Sequence, residues 1–236
     1  MTKKDVSADR HVDNLYASMR GRYGAQNSRA NGYLYEGYFR REQRILFSLL
    51  NTEARILVDV GCGSGLMVAP LISRREKVIG VDFNLDACRA ARANGLSVVR
   101  GDAFGLPLGS DSVDEVVTCQ FFNQQRPEAV RQFVTESARV LRPGGRSILV
   151  WRNGRAMVHR VALSYFGFLD RLRGLPRFPY ENHSLAQIRT YAGAAGLRVA
   201  LESVSFPPIA WRSEAVDSWL ARVIGASNIC VLEKPE

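Results

Sequence analysis

Apolar and polar positions along the chain follow two periods. Short aliphatic runs at 56–60, 77–82, 96–102, 113–119, 147–151, 197–206 and 229–232 have the length and branching of buried strands. Between them, apolar residues recur at helical spacing over 36–50, 66–72, 85–93, 127–141, 185–194 and 214–223, with Asn94-Gly95, Pro143-Gly144-Gly145 and Gly196 at the turns. Strands separated by helices predict an α/β protein with a doubly wound, mainly parallel seven-stranded sheet, its ligands at the carboxyl ends of the strands. Two stretches depart from this rhythm. Residues 1–35 read as a polar, partly helical arm whose aromatics, Tyr16 and Tyr23 among them, need something to pack on. Residues 154–183 are aromatic and aliphatic but interrupted by Gly167, Gly174, Pro176 and Pro179, which predicts a helical insertion after the fifth strand. The division is an arm at 1–35 and one domain at 36–236 that contains the insertion.

The first strand leads into Gly61-Cys62-Gly63-Ser64-Gly65, three glycines at alternate positions. Glycine there permits unusual dihedrals and lets a flat or charged ligand approach the main chain; a tight turn in some α/β protein is the plainer alternative. Asp82 ends the next strand, where its carboxylate can accept from two vicinal ribose hydroxyls or cap the following helix. A dinucleotide loop usually reads G-x-G-x-x-G, whereas Leu66 and Met67 follow here. Asp59, two residues before the first glycine, would repel a pyrophosphate and attract an ammonium. A cofactor with ribose at one end and an amino acid at the other fits both acids.

Composition narrows the setting. At 236 residues one sizeable core is expected, and the four cysteines, Cys62, Cys88, Cys119 and Cys230, are too widely spaced for a zinc cluster or a disulfide framework. No metal site is predicted. The polar amino terminus and the lack of a membrane-length apolar run predict a soluble, cytoplasmic protein with no integral membrane segment. A formal charge of +9, with eight arginines and one acid between Arg142 and Arg177, is compatible with an anionic substrate, weak contact with a membrane surface, or a solvated face.

Val58–Gly65, Asp82, Gly101-Asp102-Ala103 with Leu106-Pro107, Val113–Val117 and Arg139–Gly145 together resemble the ordered motifs of class I S-adenosylmethionine-dependent methyltransferases, especially the small-molecule branch that includes quinone-biosynthesis enzymes. The resemblance is strong over about residues 45–150. It implies a Rossmann-like fold in which Gly61, Cys62, Gly63 and Gly65 hold the methionine portion of S-adenosyl-L-methionine, Asp59 helps receive its amino group, and Asp82 binds the ribose. Phe83 would pack along the adenine, Asp102 would accept from its exocyclic amine, and Ala103 would present an N–H. Cys119 and Gln120 match the segment lining the methyl-transfer site, and Tyr16 and Tyr23 would close over the cofactor from a lid. Asp59 as a loop brace, Phe83 as core, Asp102 as a helix cap and Cys119 as packing are the alternatives.

A sulfonium supplies the electrophile, so alignment of the acceptor is the main task, with a base needed for some oxygen acceptors. His183 and His159 are the general-base candidates, against surface or capping roles. Cys119-Gln120-Phe121-Phe122 lacks the Asn/Asp-Pro-Pro-aromatic segment of amino-methylating nucleic-acid enzymes, which disfavours nucleic acid. Tyr165, Phe166, Phe168 and Leu169 favour methyl transfer to oxygen or carbon of an apolar or aromatic small molecule resembling a quinone, lipid or polyketide. An RNA or protein methyltransferase, and an inactive cofactor-binding interaction protein, are the rivals. A homodimer is compatible with these features.

Overall fold

Near-continuous burial along the strands, with both faces of the sheet covered, decides how the layers form. The computed structural model describes residues 36–157, 181–206, 211–213 and 225–236, with isolated positions 21, 24, 27, 33, 160, 161, 164 and 168. Strands β1 (Ile56–Val60), β2 (Lys77–Asp82), β3 (Ser97–Arg100), β4 (Val113–Cys119) and β5 (Leu141–Arg152) run parallel. Beyond them lie β6 (Arg198–Phe206), β7 (Trp211–Ser213) and β8 (Ser227–Glu233), in the sheet order β3-β2-β1-β4-β5-β8-β6-β7. Strand β8 is antiparallel to both β5 and β6. The seven predicted strands are present, and β7 adds a three-residue edge antiparallel to β6.

Successive side chains point to opposite faces, so each strand feeds two cores. Leu57, Val78, Val117, Ile148 and Val150 pack with α1 (Glu36–Leu49) and α2 (Leu85–Ala93), through Phe39, Leu46, Cys88 and Ala91. Val58, Val81, Val116, Leu149 and Trp151 pack on the other side with α3 (Pro127–Val140) and α4 (Leu185–Ala194), through Phe133, Val134 and Ile188. The helix starts are locally encoded. Asn84 Oδ1 accepts from Ala87 N, and Ser184 forms a capping box with Gln187.

The predicted helix at 66–72 is reduced to one 3-10 turn, Ala69–Leu71. Pro70 has no N–H to donate to the Leu66 carbonyl. The Gln43 amide of α1 instead reaches Leu66 O at 3.1 Å and Met67 O at 2.9 Å. Helix α1 also buries a basic residue. Arg41 is only 2% exposed, with its guanidinium 4.5 Å from the Tyr38 ring centroid.

The end of the sheet away from the glycine loop is fastened by acids. Asp114 Oδ2 accepts from Arg55 N and Ile56 N and pairs through Oδ1 with Arg142, while buried Glu115 holds Arg75, Arg146 and Asn51 N. The predicted helix at 214–223, most of the 1–35 arm and most of the 154–183 insertion lie outside the described residues; Tyr33, near the arm's end, packs edge-on against Phe39 in the core.

Candidate active site

The loop after β1 turns where its glycines allow it. Gly61, Gly63 and Gly65 have φ of +71°, +56° and +76°, a region that a side chain disfavours. Gly61 N donates to Val81 O at 2.8 Å and Gly65 N to Cys62 O at 2.9 Å, which ties the loop to β2 and to itself. Space is short as well: a Cβ on Gly61 would lie 2.8 Å from the Phe121 ring, and one on Gly80 of β2 would lie 2.7 Å from Cys62 Sγ. Burial, with Asp59 and Asp82 nearby, pushes the Cys62 thiol up, so it packs as a neutral group.

Two carboxylates flank the loop. Asp82 accepts from Gly63 N at 2.9 Å through Oδ2 and from Asn84 N at 2.9 Å through Oδ1, so it shapes the loop and also the entry to α2. Asp59 lies one strand over and is 3% exposed; its Oδ2 accepts no hydrogen bond from any described residue. Burial first, then the Asp82 charge, pushes its pKa up to about 7. A buried acid with an idle oxygen suits a cation. Phe83 leaves 48% of its surface exposed beside this acid pair, an open apolar face rather than core packing. At the end of β3, Asp102 is exposed and accepts from Phe104 N at 3.0 Å, while Ala103 is buried.

Cys119 ends β4, the strand beside β1, and burial first, then the Glu42 and Asp59 charges, pushes its thiol up. Gln120 follows with φ +60°, a left-handed backbone unusual for a side-chain-bearing residue. Its Nε2 donates to Glu42 Oε1 at 2.8 Å and Oε2 at 3.0 Å, and to Tyr38 Oη at 3.3 Å. Glu42 is fully buried, and it also accepts from Tyr33 Oη at 2.9 Å and from Ser227 Oγ. Sequence reasoning missed this cluster of Tyr33, Tyr38, Glu42 and Ser227. The available signal was an acid at the spacing of Tyr38, Ile45 and Leu49 on an otherwise apolar helix face.

His183 stands apart from these groups. It is fully buried, with Nε2 3.0 Å from Phe122 O and 2.8 Å from Gln125 O, so that nitrogen carries the proton and donates. Trp151 Nε1 donates to its carbonyl at 2.8 Å. Such a histidine ties the turn after β4 to α4, and its Nδ1 is buried and accepts no hydrogen bond from any described residue. His159, Tyr16 and Tyr23 lie outside the described residues. Among the described residues no group of three His, Cys, Asp or Glu side chains could hold a metal, all four cysteines are free, and no helix is long and apolar enough to cross a membrane.

The glycine loop and its two flanking acids sit at the carboxyl end of a doubly wound sheet, and residues 58–149 match the family model described as a methyltransferase domain. It is 39% identical over 106 residues to an uncharacterised methyltransferase of Mycobacterium tuberculosis, a stretch that makes up 44% of this chain and 42% of that protein. The chain thus spans less than half the length of that relative. It is 29% identical over 172 residues to the ubiquinone biosynthesis O-methyltransferase of Rhizobium johnstonii, covering 65% of this chain and 64% of that one. The fold is shared with magnesium protoporphyrin IX methyltransferase from Synechocystis, solved with SAH bound. The TM-score is 0.60 at 17% identity, covering 84% of this chain and 83% of that one.

Proposed function

We propose that the chain is an S-adenosylmethionine-dependent methyltransferase acting on a small molecule. The observation that carries the reading is Asp59, a buried carboxylate with an idle oxygen two residues before a three-glycine loop that Asp82 holds in place. An amino-acid cofactor brings an ammonium that Asp59 attracts and loop amides recognise, whereas a dinucleotide brings a pyrophosphate that both acids repel. The residues present fit the cofactor. Gly61 to Gly65 would hold its methionine part with Asp59 at the amino group, Asp82 would take the ribose hydroxyls, and Phe83, Asp102 and Ala103 would receive the adenine.

When bound, the cofactor supplies a methyl group on a positively charged sulfur. The protein binds, orients and excludes water. Cys119 and Gln120, next to the loop, line the place where the acceptor meets that methyl group. The ubiquinone and protoporphyrin enzymes among the similar proteins favour an apolar or aromatic acceptor.

The test is mass spectrometry of the purified protein incubated with labelled S-adenosylmethionine and fractionated extracts of its own cell. Label in an organic-soluble product is expected; label confined to RNA or protein would sink the small-molecule reading. Asp82→Ala should abolish cofactor binding as well as transfer.

A further inference from the structure

Buried inside the α1 face of the sheet is a polar cluster that the cofactor loop does not use. Its centre is Glu42, whose carboxylate takes hydrogen bonds from Tyr33, Ser227 and the Gln120 amide. A carboxylate only accepts, and so Gln120 must turn its nitrogen toward Glu42 and its oxygen away. The second bond of that nitrogen, to Tyr38 Oη, holds the amide against rotation. Gln120 Oε1 is buried and accepts no hydrogen bond from any described residue.

An orphaned, oriented acceptor is costly unless something donates to it. The backbone adds to that cost, since Gln120 keeps φ at +60° where glycine would rest without strain. Its location is close to the cofactor loop: the preceding thiol, Cys119, senses both Glu42 and Asp59, and the following ring, Phe121, packs against Gly61.

Resting on the methyltransferase reading, we propose that Glu42 is a positioning residue that locks the Gln120 amide, and that Gln120 Oε1 receives the O–H or N–H hydrogen of the methyl acceptor. The substrate class is thereby narrowed to molecules that present a hydroxyl or amine at the atom to be methylated. A bare ring carbon offers no hydrogen to an amide oxygen, and a site built to pair a donor discriminates strongly against analogues that lack it.

The experiment uses the full chain, S-adenosylmethionine carrying a 13C methyl, and the organic-soluble extract of its own cell. Wild type is expected to place the 13C methyl on oxygen or nitrogen, read from its carbon chemical shift. Glu42→Gln lets the Gln120 amide take either orientation, and Gln120→Met keeps the volume without the oxygen. Both are expected to raise the extract concentration needed for half-maximal rate at least tenfold, while calorimetric affinity for S-adenosylhomocysteine stays within threefold. Circular dichroism checks the fold, and Gln120→Met leaves the Tyr33 and Ser227 bonds to Glu42 in place should Glu42→Gln fold poorly. A methyl on carbon overturns the proposal, as does an unchanged half-rate concentration in Gln120→Met. A tenfold loss of S-adenosylhomocysteine affinity in that variant overturns it too, by giving the oxygen to the cofactor. Each of these leaves the methyltransferase reading standing, whereas a wild type that binds no S-adenosylhomocysteine overturns both.

Discussion

At the scale of single residues, Asp59 is the group whose state depends most on what is bound. Its folded pKa of about 7 lies above the ordinary carboxylate value of 3.8, so the folded protein holds a proton that the unfolded chain releases. Its contribution to stability is therefore full below about pH 4 and is lost as the pH rises through 7. An ammonium beside it favours the ionised form, so binding at or below pH 7 must release a proton. With a free-state pKa near 7, affinity for S-adenosylhomocysteine should rise about tenfold between pH 6 and pH 8. Asp59→Asn should bind weakly and show no such rise, which calorimetry at three pH values would check. The same substitution should flatten the stability of the unliganded protein between pH 4 and pH 8. Equal pH dependence in both proteins would place the titrating group elsewhere.

At the scale of elements, the sheet is held at one end by fasteners and left free for chemistry at the other. Glu115, buried at the fastened end of β4, faces Arg75 Nη1 at 2.9 Å and the part-exposed Arg146 Nη2 at 3.2 Å. Removing one partner of a buried pair strands the others, so Glu115→Ala is expected to cost about 3–5 kcal/mol in urea unfolding. Arg40→Ala removes an exposed pair with Glu36, a long bond to Gln43 Oε1 and a contact over the Phe39 ring, and should stay within about 1 kcal/mol. Such contrasts also explain what a reader of the sequence can and cannot see. The glycine loop, Asp59 and Asp82 are legible because strand, turn and next strand lie close together in the chain and their spacing carries the geometry. The helix expected after the loop fails for a visible local reason, Pro70, but its replacement by Gln43 depends on α1 docking there. Glu42 and Ser227 lie 185 residues apart and meet only once the sheet has closed around β8. His183 was readable as a histidine before a helix, yet its two carbonyl partners after β4 exist only in three dimensions.

At the scale of the whole molecule, ligand and fold are linked by mass action. S-adenosylhomocysteine at a hundred times its dissociation constant should stabilise the protein by about 2.7 kcal/mol. NADH at the same concentration should shift the melting temperature by nothing measurable, since its pyrophosphate meets Asp59 and Asp82. A shift with NADH and none with S-adenosylhomocysteine would reverse the choice of cofactor. Both cores contribute to this coupling, because β1 sends Leu57 into one and Val58 into the other as it delivers the loop.

Helix α1 touches the site twice, through Gln43 on the carbonyls just past the glycines and through Glu42 on the amide beyond β4. The stretch that matches the methyltransferase family begins at residue 58, after this helix has ended. The recognisable motifs and the segment that sets their final shape are therefore separate pieces of chain with separate freedom to change. A hybrid that keeps residues 58–149 but takes its preceding helix from another such protein would inherit the cofactor loop without the groups that orient Gln120. Swapping that one helix is therefore expected to disturb the exit of the glycine loop and the orientation of the Gln120 amide together.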